Sequence, residues 1–183
     1  MPVVLLIRHG EKKGNDLSKI GRKRAEFLPK YFKKHRPSEV PLPTHLVSMR
    51  PKHRSSSRRC VDTLIPMMRK MRMSLVVEFD REEVDVLVSF VERLPQEAVV
   101  LICWEHHWIV EIARALGFNA LNWNDTPFSN DEDSKAFDIL WKIDGLTFES
   151  FVTYSVAREV TVYEEPLRER IVLNPLVVEK SAQ

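Results

Sequence analysis

Short runs of aliphatic and β-branched residues alternate with segments of helical period, and this alternation is the strongest constraint on the fold. The apolar runs cover residues 3–7, 45–48, 75–79 and 99–103. Continuous runs of this length are typical of strands that are buried on both faces of a parallel sheet. Helical periodicity covers 19–35, 82–94 and the segment after His107. The alternation predicts a three-layer α/β/α sandwich with a mostly parallel sheet, right-handed crossovers and functional residues just after strands.

The C-terminal half adds an antiparallel feature to this pattern. Two apolar segments, 138–143 and 148–155, flank the turn residues Asp144-Gly145 and predict a hairpin at an edge of the sheet. Residues 121–136 are acidic and polar without a period, so they predict a loop that could act as a lid. The last twenty residues predict a partly ordered tail. No linker or repeat divides the chain, and we expect residues 1–183 to form one domain.

Composition excludes several functional classes. The net charge of +2 gives no general attraction to nucleic acid or anionic membranes, and no apolar stretch approaches the length needed to span a bilayer. The basic run 50–59 predicts mainly a solvated loop. Two cysteines without CxxC spacing indicate a reducing, cytoplasmic environment and no thiolate metal site. The N-terminal residues predict a strand rather than a signal peptide.

Two histidines follow apolar runs that are distant in the sequence. The first run ends in Arg8-His9-Gly10-Glu11, and the fourth ends in Trp104-Glu105-His106-His107. The carboxyl ends of parallel strands lie at the same edge of a sheet, so His9 and His106 are expected to meet. A single histidine after a strand is usually structural, whereas two at equivalent strand ends favour a functional site.

The residues around His9 resemble the histidine phosphatase superfamily, which includes the phosphoglycerate mutases. Arg8-His9-Gly10-Glu11, with Asn15 beyond it, is similar to the RHGxxxxxN signature of that family. Further similarities follow in the family's order over residues 3–117. They are Leu17-Ser18, Gly21 and Ala25, which resemble LTxxGxxQA; Ser48, Arg59 and Thr63, which resemble SPLxRAxxT; and His106 with Ile109, which resembles the second histidine of the family.

The chain departs from the family pattern at three places. Extra residues separate Ser48 from Arg59, Cys60 stands where alanine is usual, and His107 stands where glycine is usual. Arg59 is preferred to Arg58 because of its four-residue spacing to Thr63. His106 is preferred to its neighbour because the family histidine lies at the strand end.

The resemblance implies a metal-independent and cofactor-independent phosphatase in which His9 becomes transiently phosphorylated. The guanidinium groups of Arg8 and Arg59 would bind phosphoryl oxygens, His106 would donate to them, and Asn15 would add a contact at the rim. The positive charges would also disfavour protonation of His9 and keep it nucleophilic. The expected substrate is a phosphorylated small molecule or phosphoprotein, and the sequence does not reveal the oligomeric state.

The general acid is the least defined group of this hypothesis. Glu82 is the first choice because it follows the third apolar run, although it could equally be a first-turn acid that complements a helix dipole. The alternatives are Glu83, Asp80, Glu78 and Glu105. A different functional class stays open, in which the protein is a catalytically idle member that binds phosphorylated ligands. The triplet Glu105-His106-His107 lacks the spacing of a zinc site, so no metal is expected.

Overall fold

The computed structural model describes residues 1–53, 56–118, 137–145 and 147–152. The predicted loop at 121–136 and the predicted C-terminal tail lie outside these residues. The strands are β1 (Val3–Arg8), β2 (Lys12–Lys13), β3 (Asp16–Leu17), β4 (His45–Ser48), β5 (Leu75–Val76), β6 (Val99–Trp104), β7 (Ile139–Asp144) and β8 (Thr147–Val152). The helices are α1 (Lys19–Lys30), α2 (Arg59–Met71), α3 (Val84–Glu92) and α4 (His106–Ala115), and a π-helical turn (Tyr31–His35) follows α1.

Within the described part of the chain, the central sheet has six strands in the order β5-β4-β6-β1-β7-β8. The first four of these are mutually parallel, and β6 is buried along its whole length between β4 and β1. The β7–β8 hairpin pairs antiparallel with the other side of β1. This confirms the predicted mostly parallel sheet with an antiparallel edge. The apolar runs form central strands because both faces of the sheet are covered.

The helices form two pairs, since α1 contacts α2 and α3 contacts α4. The chain moves from β1 through β4 to β5 and then returns to β6, so right-handed crossovers place the two pairs on opposite faces. This arrangement is the predicted three-layer sandwich. The order in which the chain adds strands reverses between β6 and β1. In open parallel sheets, ligand crevices form at the carboxyl ends of the strands at such a point. Among the described residues, no helix is long and apolar enough to cross a membrane.

Several element bounds differ from the prediction. The third apolar run was expected to form a strand over 75–79, but β5 ends at Val76 and the carbonyl of Phe79 instead accepts from the backbone N–H of Arg50. The predicted helix 82–94 is shorter, as α3 shows. The predicted helix 19–35 becomes π-helical at Tyr31, two residues after Pro29, whose missing N–H removes one regular helical bond. Helix α2 was not predicted.

Candidate active site

The ends of β1 and β6 bring the two sequence motifs together. Arg8 lies beside Trp104 in the parallel register, and the backbone N–H of His9 donates to the carbonyl of Trp104 at 3.4 Å. His106 begins α4 two residues beyond Trp104. The sheet therefore places both motifs at the same edge, as the pattern of strand ends predicts.

His9 is a buried histidine with a defined tautomer. The residue is 3% exposed, and Nδ1 lies 2.7 Å from the carbonyl oxygen of Gly10. A carbonyl only accepts, so Nδ1 carries the hydrogen and Nε2 keeps its lone pair. Burial lowers the pKa of His9 to about 3; the bond to Gly10 opposes this shift, and the charges of Arg59 and Arg8 add to it. The imidazole is therefore neutral near pH 7, the form that a nucleophile requires.

Arg8 is a buried cation next to His9. Its guanidinium carbon lies 4.1 Å from the centre of the Phe137 ring, and the same ring lies 5.9 Å from that of His9. Burial, followed by the charge of Arg59, lowers the pKa of Arg8 to about 10, which leaves it protonated at neutral pH. The Phe137 contact was not foreseen, because nothing in the local sequence relates this residue to strand β1.

Arg59 is the first residue of α2 and is held from two sides. Its Nε–H donates to the hydroxyl of Ser57 at 2.6 Å, and a terminal nitrogen lies 3.9 Å from a carboxylate oxygen of Glu105. The Arg59 side chain is 13% exposed, so it is shielded but reachable from solvent. The positive charge of Arg59 is close enough to Arg8, His9 and His106 to contribute to the lowering of their pKa values.

Thr63 joins the β1 end to α2. Its hydroxyl accepts from the backbone N–H of Gly10 at 2.9 Å and donates to the carbonyl of Arg59 at 2.7 Å. Thr63 is buried, so neither bond is replaced readily by water. The four-residue spacing between Arg59 and Thr63 thus corresponds to one helical turn that fixes the residue after His9 against the start of α2.

A close approach between two glycines fixes the other side of this segment. A Cβ on Gly10 would lie 2.8 Å from the carbonyl oxygen of Gly21, and a Cβ on Gly21 would lie 2.3 Å from that of Glu11. Ser18 caps α1 by accepting from Gly21, and its backbone N–H donates to Glu11. The main chain after His9 is therefore in direct contact with the first turn of α1.

His106 is half-buried in the first turn of α4. Burial lowers its pKa to about 4, and the charge of Arg8 is the next cause. The ring of His107 lies 3.9 Å from it, centre to centre, and His107 is exposed. The neutral imidazole of His106 can offer an N–H donor to an anion in the pocket.

The structure brings together four of the predicted residues, namely Arg8, His9, Arg59 and His106. Asn15 is exposed in the turn between β2 and β3, six residues after His9. Its predicted contact with substrate stays a prediction. Across the described ranges, no group of three or more His, Cys, Asp or Glu side chains is arranged to hold a metal ion.

Glu82 occupies a different environment from these four residues. It is exposed, and its carboxylate pairs with Arg81 at 2.7 Å and with Lys52 at 3.2 Å. Hydrogen bonds from Arg81 and then from Lys52 lower the pKa of Glu82. A carboxylate held ionised is poorly suited to donate a proton.

Among the alternative acids, Glu105 is the one in contact with Arg59. Asp80 pairs with Arg50 at 3.0 Å, the carboxylate of Glu83 accepts from the backbone N–H of Asp80, and Glu78 is exposed. Glu105 was only one of several alternatives in the sequence, because its position before His106 does not reveal which way its side chain turns.

Comparisons with known proteins show similarity in structure only. No protein-family model matches the chain, and no curated protein matches its sequence. A protein assigned as the phosphohistidine phosphatase SixA from Agrobacterium tumefaciens is 17% identical, with a TM-score of 0.49 over 79% of this chain and 92% of that one.

Two further solved structures have a similar likeness. A protein assigned as SixA from Nakamurella multipartitia is 18% identical, with a TM-score of 0.46 over 96% of both chains. A phosphoglycerate mutase from Plasmodium falciparum is 12% identical, with a TM-score of 0.46 over 93% of this chain and 97% of that one. At these values the likeness assigns no function.

Proposed function

We propose that the protein hydrolyses a phosphate monoester through a phosphohistidine on His9. The observation that carries this proposal is the buried, neutral His9 beside two arginines at the end of β1. Hydrolysis of such esters is extremely slow without a catalyst, so stabilisation of the transition-state charge is the main requirement. The guanidinium groups of Arg8 and Arg59 supply this charge, and the pKa of Arg8, about 10, leaves it protonated at neutral pH.

In the first step, Nε2 of His9 attacks the phosphorus and the bond from phosphorus to the leaving oxygen breaks. The Nδ1–H bond to Gly10 orients the ring for this attack and stabilises the positive charge that develops on the imidazole. In the second step, water attacks the phosphorus, the bond to Nε2 breaks, and inorganic phosphate leaves with His9 neutral again. Arg8, Arg59 and His106 bind the phosphoryl oxygens in both steps.

The leaving oxygen needs a proton unless it belongs to a good leaving group. Glu82 is the sequence-based candidate for this role, and its ion pairs with Arg81 and Lys52 argue against it. Aryl phosphates bypass this requirement because a nitrophenolate leaves without a proton. The first assay therefore uses p-nitrophenyl phosphate.

The test compares the wild-type protein with His9→Ala and with Glu111→Gln. Glu111 lies on α4 and pairs with Arg114 at the surface, so its substitution is a matched control for folding and handling. We expect turnover in the presence of EDTA by the wild-type and control proteins and none by His9→Ala. Rapid quenching should trap a phosphoenzyme that is stable to alkali and labile to acid. Turnover that persists in His9→Ala would refute the mechanism.

A second candidate is a module that binds phosphorylated ligands without turning them over. The ionised state of Glu82 favours it, because that residue then offers no proton to an ordinary alkoxide leaving group. The same assay separates the two functions. A protein that binds inorganic phosphate but does not release nitrophenol would be such a module.

A further inference from the structure

A chain of opposite charges leads from the surface to the pocket. The guanidinium of Arg81 lies 3.4 Å from one carboxylate oxygen of Glu105, and the other oxygen lies 3.9 Å from a terminal nitrogen of Arg59. The exposed fraction of the side chain falls along this chain from 43% for Arg81 to 21% for Glu105 and 13% for Arg59. Charge interactions strengthen as solvent is excluded, so the inner contact is the less screened one.

Arg81 is itself fixed to the elements that form the site. Its backbone carbonyl accepts from the indole N–H of Trp104 at 3.1 Å, and Trp104 is fully buried at the end of β6. Its guanidinium carbon lies 6.0 Å from the ring centre of Trp108, and it pairs with Glu82. The guanidinium of Arg81 is therefore fixed in position beside the carboxylate of Glu105.

The geometry of Arg59 shows what Glu105 does. The Nε–H of Arg59 is used by Ser57, whereas the 3.9 Å separation from Glu105 is longer than a hydrogen bond. The carboxylate of Glu105 thus attracts the guanidinium of Arg59. The terminal N–H groups of Arg59 can still turn toward a phosphoryl group. Arg8 lies close enough to Arg59 for their charges to repel, and Glu105 offsets that repulsion.

We propose that Glu105 and Arg81 are positioning residues: Glu105 holds Arg59 against the phosphoryl site, and Arg81 holds Glu105. This inference rests on the proposed function, because it assigns Arg59 the phosphoryl group as its partner. It gives Glu105 the role of a fixed anion rather than that of the general acid. Arg81 acts on the reaction only through Glu105.

The experiment is a double-mutant cycle with Glu105→Gln and Arg81→Met, and Glu111→Gln is the matched control. Loss of one charge-assisted contact to Arg59 should lower kcat for p-nitrophenyl phosphate by about tenfold. Arg81→Met should lower kcat by about threefold, because the Arg81–Glu105 pair is more exposed to solvent than the Arg59–Glu105 pair. The double variant should be no slower than Glu105→Gln alone, because the Arg81 effect passes through Glu105.

Three results would overturn the positioning role. One is multiplication of the two single effects in the double variant, and another is a kcat for Glu105→Gln equal to that of Glu111→Gln. The third uses phenyl phosphate, whose leaving group needs more help from an acid. If Glu105 were the general acid, Glu105→Gln would lower kcat for phenyl phosphate much more than kcat for p-nitrophenyl phosphate. If Glu105 is a positioning residue, the substitution lowers kcat for both substrates by the same factor. Circular dichroism checks that each variant is folded.

Calorimetric binding of inorganic phosphate separates failure of this inference from failure of the proposed function. If the wild-type protein binds inorganic phosphate but does not turn over p-nitrophenyl phosphate, the proposed function fails. The double-mutant cycle is then measured as changes in phosphate affinity instead of kcat. Positioning then requires weaker binding by Arg59→Met and Glu105→Gln and unchanged binding by Glu111→Gln. Phosphate affinity that responds to Arg59→Met but not to Glu105→Gln would refute positioning. A wild-type protein that neither binds inorganic phosphate nor turns over p-nitrophenyl phosphate would refute both proposals.

Discussion

Gly21→Ala should destabilise the protein although alanine is the better helix former. In the interior of a helix this change usually gains about 1 kcal/mol. Here the new Cβ would lie 2.3 Å from the carbonyl oxygen of Glu11, about 1 Å inside ordinary contact. That oxygen belongs to the backbone and accepts from Ser18, so relief requires the main chain to move. Overpacking costs about 1–3 kcal/mol and the weakened bond adds about 1 kcal/mol, so we expect a net loss of about 2 kcal/mol.

Urea unfolding of Gly21→Ala measures this loss, with Arg22→Ala on the exposed side of α1 as the control. The same displacement moves the segment from His9 to Glu11, and an error of about 1 Å in a reacting group can cost about a hundredfold in rate. We therefore expect kcat for p-nitrophenyl phosphate to fall while the control stays near wild type. A Gly21→Ala protein that is as stable as wild type, or more so, would contradict the close approach.

Further predictions address Thr63, His9 and Glu82. Thr63→Val leaves the buried N–H of Gly10 without its acceptor and should cost about 1–3 kcal/mol in urea unfolding, whereas Thr63→Ser should recover most of this; equal stability of the two variants would contradict it. The pKa of His9 is about 3 when folded and about 6.5 when unfolded, so the unfolded chain takes up the proton first as pH falls. The wild-type protein should therefore lose about 2 kcal/mol more than His9→Gln between pH 7 and pH 5, and parallel pH dependences would show that His9 is not buried as a neutral ring. Glu82→Gln should leave kcat for phenyl phosphate within about twofold, since the carboxylate is ionised and exposed; a loss of tenfold or more would identify it as the acid.

The fold was predictable because its central strands are buried on both faces. The run 45–48 coincides with β4, and the runs at 3–7 and 99–103 are each one residue shorter than β1 and β6. The run 75–79 was less informative, because β5 is the edge strand and, among the described strands, pairs only with β4. Its last residues turn away toward Arg50, and a contact between distant segments of this kind leaves no local pattern.

The placement of His9 and His106 at one edge of the sheet was predictable from strand ends, because they follow adjacent parallel strands. Arg59 was chosen from its four-residue spacing to Thr63 in the family resemblance, and helix α2, which makes that spacing one turn, was not predicted. The partners of Arg59 were not predictable, since Ser57 lies in an irregular loop and Glu105 reaches it across the sheet edge.

The environment of Glu82 was likewise not predictable from the sequence. Its position after the third apolar run favoured a role in the pocket, yet Lys52 approaches it from a segment thirty residues earlier. The hydrogen bonds from Arg81 and Lys52 lower the pKa of Glu82, and neither pairing has a sequence signature. Local position therefore identified a plausible acid but could not reveal the charges around it.

Binding of a phosphoryl group, as proposed above, would change the charges around His9 and His106. Burial is the main cause that lowers the pKa of both histidines, and the charges of Arg8 and Arg59 add to it. The negative charge of a phosphoryl dianion bound by the arginines would oppose their contribution and leave the larger contribution of burial in place. His9, whose pKa is lowered to about 3 mainly by burial, would therefore stay neutral and nucleophilic. In the proposed mechanism His106 donates to the phosphoryl oxygens without bonding to phosphorus, so a rise in its pKa would strengthen the donor without costing the nucleophile.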